Sequence, residues 1–350
     1  MSRRGRLTKS RIGLTRLWSA DLGDYARAVA WSPEADRVAI GVAGGPVHVL
    51  DATNGGEVGR LPGHAPGTLV LGWSKAALAT GGEDGAVRLW DPARPCPRRT
   101  VDGGGQWVER LRWSQDGTRL ASAAGRCLRI WDGDGDLAEE MTCAQTIQDL
   151  DWRRQPSELA AAFYGGIRIW RVGGDGGPRD LRWQGASLRC AWSPNGAYLA
   201  TGDQDASIHL WLVSRGTDLV AEGYATKVRH LSWDASSRFL ASAGGAEVLV
   251  WDCSGRGPAG TSPRVLDRHR ANVSALSFQH RGQRIASADG RGGLVVWAPL
   301  ADPRTSGGLD LAEPITALAW AADDGRLLVA GAGGTVTLVG VAVAEDRRPV

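Results

Sequence analysis

The sequence predicts an all-β protein built from tandem units, and three observations carry that prediction. Tryptophan is used 16 times against 3 phenylalanines and 4 tyrosines, so one aromatic role is repeated along the chain. Short apolar runs ending in an aromatic residue recur as VAWSP, LGWSK, LRWSQ, LDWRR, CAWSP, LSWDA, LSFQH and LAWAA. Their anchors are Trp31, Trp73, Trp113, Trp152, Trp192, Trp233, Phe278 and Trp320, at successive spacings of 42, 40, 39, 40, 41, 45 and 42 residues. A fixed period of this kind marks a repeat architecture. The 49 glycines supply the turns that so many short strands need.

Each anchor opens a unit, numbered one to eight here. The anchor run alternates and reads as a first strand. A second apolar run ends in small residues: LATGG, LASAA, LAAAF, LATGD, LASAG, IASAD, LLVAG. A third carries HVLD, RLWD, RIWD, RIWR, HLWL, LVWD, VVWA or TLVG. A weaker fourth fills the gap before the next anchor, as in EVGRL (57–61) and PRVLD (263–267). Gly, Asp and Asn turns separate the strands.

The combined pattern, GH…LxWSxDGxxLAsggxDGxvrlWD over residues 14–343, resembles the WD40 repeat. The resemblance implies a single β-propeller in which each unit is a four-stranded blade around a central channel. The count it implies is eight blades, with seven as the alternative. Unit four, whose turn is shortened to YGG, is the candidate for exclusion. TRLWSADL (15–22) precedes the first anchor, and TVTLVGVAV (335–343) lacks a fourth strand, so an N-terminal strand is expected to complete the last blade. Residues 1–13 read as a basic, solvated tail and residues 344–350 as a short C-terminal tail.

Within unit two, ATGGEDGAVRLWD (79–91) gathers acidic, basic and aromatic residues like a site. The resemblance gives it a structural role instead. His64, Thr80, Asp84 and Trp90 match a hydrogen-bonded tetrad. A buried indole N–H needs an acceptor, a hydroxyl can accept and donate onward, and an aspartate fixes the imidazole. Unit two is expected to be the only complete case. Unit five offers Thr201, Asp205 and Trp211 without the histidine. Unit seven offers His269, Ser287 and Trp297, with Arg291 in the aspartate's place. Units three and six keep Ser122 with Trp131 and Ser242 with Trp251.

No Walker-type loop, HExxH, CxxC pair or GxSxG elbow occurs, so no catalytic or metal role and no cofactor is assigned. The five cysteines are scattered and read as small buried residues of a reducing cytosol. GDGDL (133–137) reads as a loop between strands. A net charge of +3 is weak for a nucleic-acid binder, and no run is apolar enough to span a membrane. A cytoplasmic monomer is expected. Arginine-rich usage with only three lysines, Lys9, Lys75 and Lys227, suggests a bacterial source.

The resemblance further implies that partners dock on the narrow top face. Positions about six and four before the anchors point there: Tyr25 and Arg27, Trp107 and Glu109, Thr146 and Gln148, Lys227 and Arg229, Asn272 and Ser274. Residues beside the turn aspartates add Glu83 and Gln204. The expected function is a non-enzymatic scaffold for a partner protein or an acidic peptide. Units five to seven also resemble a bacterial WD40 group associated with CobW-type metal-chaperone GTPases, which gives a metal-handling accessory as the alternative. A channel enzyme is the third reading, disfavoured because the inner strands read as rich in Leu, Ala and Val.

Overall fold

The anchor runs form first strands because their alternation buries one face while the flanking turns end them. The computed structural model describes residues 11–344 apart from 92, 95, 155–156, 175, 256, 259–260 and 301–304. All of its regular elements are strands. In unit one the strands Ala26–Trp31, Arg37–Val42, Val47–Asp51 and Glu57–Leu61 pair antiparallel in sequence order. The second strands are almost wholly buried in every sheet, as in Leu78–Gly82 and Ile285–Asp289. Their Ala, Ser and Gly content follows from that position, between neighbouring sheets with no room for bulk.

The turn after the anchor repeats its geometry. The fourth residue beyond the anchor takes a left-handed backbone in five units, at Ala35, Gly117, Gly196, Ser237 and Asp324. Glycine adopts this conformation freely, whereas Ala35 and Ser237 are held in it by surrounding bonds. Ser32, for example, donates its hydroxyl to Asp36 at 2.7 Å and closes the turn through Ser32 N–H to Arg37 O at 2.9 Å.

Neighbouring units are stitched by the anchors. The indole N–H groups of Trp113, Trp152, Trp233 and Trp320 donate to the carbonyls of Gly72, Arg112, Ala191 and Ser277 on the preceding unit at 3.0–3.1 Å. Trp31 donates to Ala319 at 3.0 Å, which joins unit one to unit eight and makes the arrangement a ring. Hydrophobic clusters fill the spaces between sheets; Val38, Ile40, Leu328 and Leu338 share one of them. A central cavity of about 470 Å³ is lined by first-strand residues of all eight units, from Ala28 to Leu318.

The expectation of eight separate four-stranded blades is corrected. Among the described residues the hydrogen-bonded sheets number seven, the alternative count: six have four strands and one has six. Units four and five share the large sheet. Its element Glu158–Arg171 contains Gly165 and Gly166 at φ 103° and 125°, and Val172 N–H returns to Ser157 O at 3.0 Å. The element therefore folds back on itself at YGG, a turn too tight to interrupt the strand. Arg179–Trp192 then pairs with Gly166–Ile169 near its start and with Leu199–Asp203 near its end, so it continues from unit four into unit five.

The N-terminal strand Arg11–Asp21 pairs antiparallel with Thr335–Ala344 and lies at the edge of the last sheet. Trp18 sits at a bulge in this pairing and donates its indole N–H to Ala52 O at 3.0 Å. The expected tail thus enters the strand at residues 11–13; residues 1–10 and 345–350 lie outside the described residues. Among the described residues no helix is long and apolar enough to cross a membrane.

Candidate interaction face and central channel

One face of the ring is built by two sets of loops that bond to each other. The loops leading into the first strands meet the turns between second and third strands through Ala43 N–H to Tyr25 O, Glu83 to Gly67, Ile147 to Gly125, Gln204 to Ala186 and Thr226 to Gly244. Gly290 N–H to Asn272 O and Ala332 N–H to Pro314 O continue the series. A register shift recurs beside this face. First and second strands slip between Ala26 and Ala28, Thr68 and Val70, Val108 and Arg110, Ser187 and Arg189, Val273 and Ala275, and Ile315 and Ala317. A β-bulge re-aims the residue it skips. The skipped residues include Arg27, Glu109 and Ser274, all three singled out in the sequence.

The structure distributes the sequence-selected residues unevenly. Tyr25, Arg27, Trp107, Glu109, Thr146, Gln204, Lys227, Arg229 and Asn272 are exposed, Trp107 at 55%. Gln148 and Ser274 are half-buried. Arg27 and Glu83 meet in an ion pair at 3.9 Å between units one and two. Arg229 and Ser274 reach the central cavity, where the others do not. Sequence reasoning missed Tyr164, 65% exposed in the YGG turn of unit four. Its cue was an aromatic residue where other units carry Ala, Glu, Gln or Gly.

Beneath this face the tetrad of unit two assembles. Trp90 donates its indole N–H to Thr80 Oγ1 at 2.8 Å, Thr80 donates to His64 Nε2 at 2.7 Å, and His64 Nδ1 donates to Asp84 at 2.7 Å. Burial holds the His64 pKa below its usual value despite the carboxylate. The expectation that only unit two is complete is corrected. In unit seven Trp297 donates to Ser287 Oγ at 2.7 Å, Ser287 to His269 Nε2 at 2.6 Å, and His269 Nδ1 to Asp289 at 3.1 Å. Asp289 closes the second strand two residues before Arg291 and its side chain still reaches the imidazole. Unit three keeps Trp131 to Ser122 at 2.8 Å. In unit six Tyr224 stands in for the histidine: Trp251 donates to its hydroxyl at 2.9 Å, and Tyr224 bonds Ser242 at 2.7 Å. The chain drawn for unit five does not form: Thr201 donates to Asp203 at 3.0 Å, and Asp205 accepts from Ser207 instead.

The channel corrects a second expectation. Its wall is not uniformly apolar, because units three to six contribute Arg112, Asp149, Asp151, Arg189, Arg229 and His230. The carboxylates have a structural task. Asp149 and Asp151 accept the N–H groups of Cys190 and Trp192 at 3.2 and 2.7 Å, capping the open inner edge of the unit-five strand. Burial raises Asp151 to about 7. Burial together with Arg189 and Arg229 lowers His230 to about 4. The sequence cue was present in DLDW, LRCAW and RHLSW, whose polar inner positions depart from the other units. Among the described residues, no three His, Cys, Asp or Glu side chains converge as metal ligands. Cys143, Cys190 and Cys253 are buried free thiols, and Cys96 is exposed.

Comparison with known proteins places these features in a family. The Arabidopsis thaliana protein "Cell division cycle 20.1, cofactor of APC complex" is 24% identical over 308 residues, covering 83% of this chain and 60% of that protein. "WD repeat-containing protein slp1" of Schizosaccharomyces pombe is 21% identical over 290 residues, 78% of this chain and 52% of its own length. "Telomerase protein component 1" of Rattus norvegicus is 24% identical over 323 residues, 90% of this chain and 12% of that one. The chain therefore spans only part of these relatives, at most 60%. The crystal structure of the computationally designed Ika8 protein superposes with a TM-score of 0.80 at 20% identity, over 93% of this chain and 99% of that one, and shares the fold. The family pattern described as "WD domain, G-beta repeat" matches residues 55–91, 95–132, 184–211, 218–252 and 260–297, just over half of the sequence, and the chain belongs to this WD40 family.

Proposed function

We propose that the chain is a non-enzymatic scaffold that binds a partner protein or peptide on the face formed by the inter-sheet loops and the second-to-third-strand turns. The observation that supports it best is the recurring bulge, which shifts one residue at the same ring position in six units and leaves two of them, Arg27 and Glu109, exposed. Around these residues stand Tyr25, Trp107 and Tyr164, exposed aromatics on a rigid support. Aromatic and arginine side chains on a pre-organised surface are the usual anchors of protein interfaces. Relatives named as a cofactor of the APC complex and as an anaphase-promoting complex subunit agree with a role in assemblies. Exposed Lys227 and Arg229 beside one another favour an acidic segment in the partner. No observation favours the metal-handling alternative.

The test is affinity capture from the native host with the wild-type chain and with Trp107→Ala combined with Lys227→Ala. The double variant is expected to keep the melting temperature of the wild type and to lose the captured partner. An identical set of captured proteins from both would refute the assignment of this face.

A further inference from the structure

The channel has two chemically different walls. Three positions before the anchor, units three to six carry Arg110, Asp149, Arg189 and His230, whereas units seven, eight, one and two carry Ala275, Ala317, Ala28 and Val70. Arg112 and Arg229 reinforce the polar side, and Val29, Leu71, Leu276 and Leu318 the apolar one.

Asp149 organises the polar wall. Its side chain is only 5% exposed, and among the described residues its Oδ1 makes no hydrogen bond. It lies 3.6 Å from Arg112 Nη2 and 3.5 Å from Arg189 Nη1, and so holds two guanidinium groups side by side at the lumen. Both remain accessible, at 42% and 38%. Among the described residues Arg112 otherwise donates only to Leu111 O, and Arg189 only to Arg229 O, which leaves each planar fork with unused donors. Among the described residues the Arg229 side chain has neither a hydrogen-bond nor an ion-pair partner. Three arginines, Arg112, Arg189 and Arg229, stand beside two aspartates, so the wall is positive; burial together with Arg189 and Arg229 depresses His230. An arginine pair with free forks, opposite an aliphatic wall, matches an anion joined to an apolar body. The buried Asp149 carboxylate weighs against a doubly charged anion by like-charge repulsion.

We propose that the channel is a binding site for an amphipathic carboxylate. Its carboxylate rests on Arg112, Arg189 and Arg229, and its apolar body lies against Val29, Leu71, Leu276 and Leu318. The carboxylate comes either from a free small molecule or from the C-terminus of a peptide ending in an apolar residue. This site is independent of the loop-face reading; of the residues selected there only Arg229 and Ser274 line the channel, and only Arg229 contacts the carboxylate.

Calorimetric titration of the whole chain with 4-phenylbutyrate, and with a leucine-terminated pentapeptide as free acid and as amide, tests the proposal. Saturable binding of at least one carboxylate is expected, with no binding of the peptide amide or of 4-phenylbutylamine. Tighter binding of the small acid identifies a free molecule as the source, and tighter binding of the peptide acid identifies a C-terminus. Arg189→Gln is expected to weaken binding at least tenfold. Arg229→Gln, which removes no intramolecular partner, is expected to weaken it several-fold with an unchanged melting temperature. Trp107→Ala is expected to leave it unchanged. Failure of both carboxylates to bind, equal binding of the amide or amine, tighter binding of phenyl phosphate, or undiminished affinity in Arg229→Gln would each overturn the proposal.

Discussion

Units two and seven carry a buried chain of four side chains, and unit five, with much the same residue types, does not. In units two and seven a histidine from the incoming loop enters between hydroxyl and carboxylate and satisfies both. In unit five the corresponding space belongs to Trp183, whose indole donates to Ser187 at 2.9 Å and whose ring lies over Gly185. His209 packs between Trp183 and Trp211, with ring centroids 4.4 and 5.6 Å away, and donates to Asp218 at 2.6 Å. Among the described residues the indole N–H of Trp211 and one oxygen of Asp203 are buried without a partner. The difference teaches that hydroxyl, carboxylate and indole are not enough: without the imidazole as relay, the carboxylate is a liability.

Four experiments press on this comparison. The largest effect is expected for Asp289→Ala, about 2–3 kcal/mol of destabilisation, because His269 and the N–H groups of Arg270, Arg291 and Gly293 all lose their acceptor in a buried site. Asp84→Ala should cost less, about 1 kcal/mol, since Asp84 is partly solvated and water can replace it. Urea midpoints that rank the two variants in the opposite order would break the view of unit seven as the tighter tetrad.

Next in size is a gain. Burial raises the Asp203 carboxyl from 3.8 to about 7. A carboxyl raised on folding adds stability at low pH that is lost as pH climbs from 3.8 to about 7. Asp203→Asn should therefore stabilise the protein by about 1–2 kcal/mol at pH 8 and by nothing at pH 4. A pH-independent change in the unfolding midpoint would show that Asp203 does not titrate as argued.

The tetrads should respond to pH with the opposite sign. His64 and His269 are held neutral by burial, below their ordinary value of 6.5. Their contribution is complete above 6.5 and is lost as pH falls below it. The double variant His64→Gln with His269→Gln should be less stable at pH 8 yet show a flatter acid limb between pH 6.5 and the lowered folded values. Wild-type and variant limbs of equal slope would contradict it. The smallest effect belongs to Arg27→Ala, whose pairing with Glu83 at 3.9 Å is partly exposed; its unfolding midpoint should move by less than about 0.5 kcal/mol.

The repeat was legible in the sequence because each anchor must fill the same gap between neighbouring sheets, and that constraint writes a period into the chain. Closure by an N-terminal strand was legible for a related reason: the last unit lacked one strand and the first residues offered one. What escaped was set by direction and reach rather than residue type. Asp289 was overlooked because it reaches the imidazole from the strand end instead of from the turn. The separate sheets expected of units four and five merged because a tight Gly-Gly turn and a continuous 14-residue element leave no break in the pairing. The charged half of the channel was visible only if the positions one and three before every anchor are compared around the ring, since along the chain Arg112, Asp149 and Arg189 look like isolated polar interruptions.

The pairing of Arg11–Asp21 with Thr335–Ala344 has a consequence for how the molecule is made. A stack of repeats with two free ends can gain order one neighbour at a time as it leaves the ribosome. Here Arg11–Asp21 waits for Thr335–Ala344, and Trp31 waits for Ala319. Until more than three hundred residues have emerged, an edge strand and the inner face of unit one remain open to pairing with other chains. Such long-range contacts slow folding. Slow translation or early truncation therefore leaves a sticky edge exposed for longer.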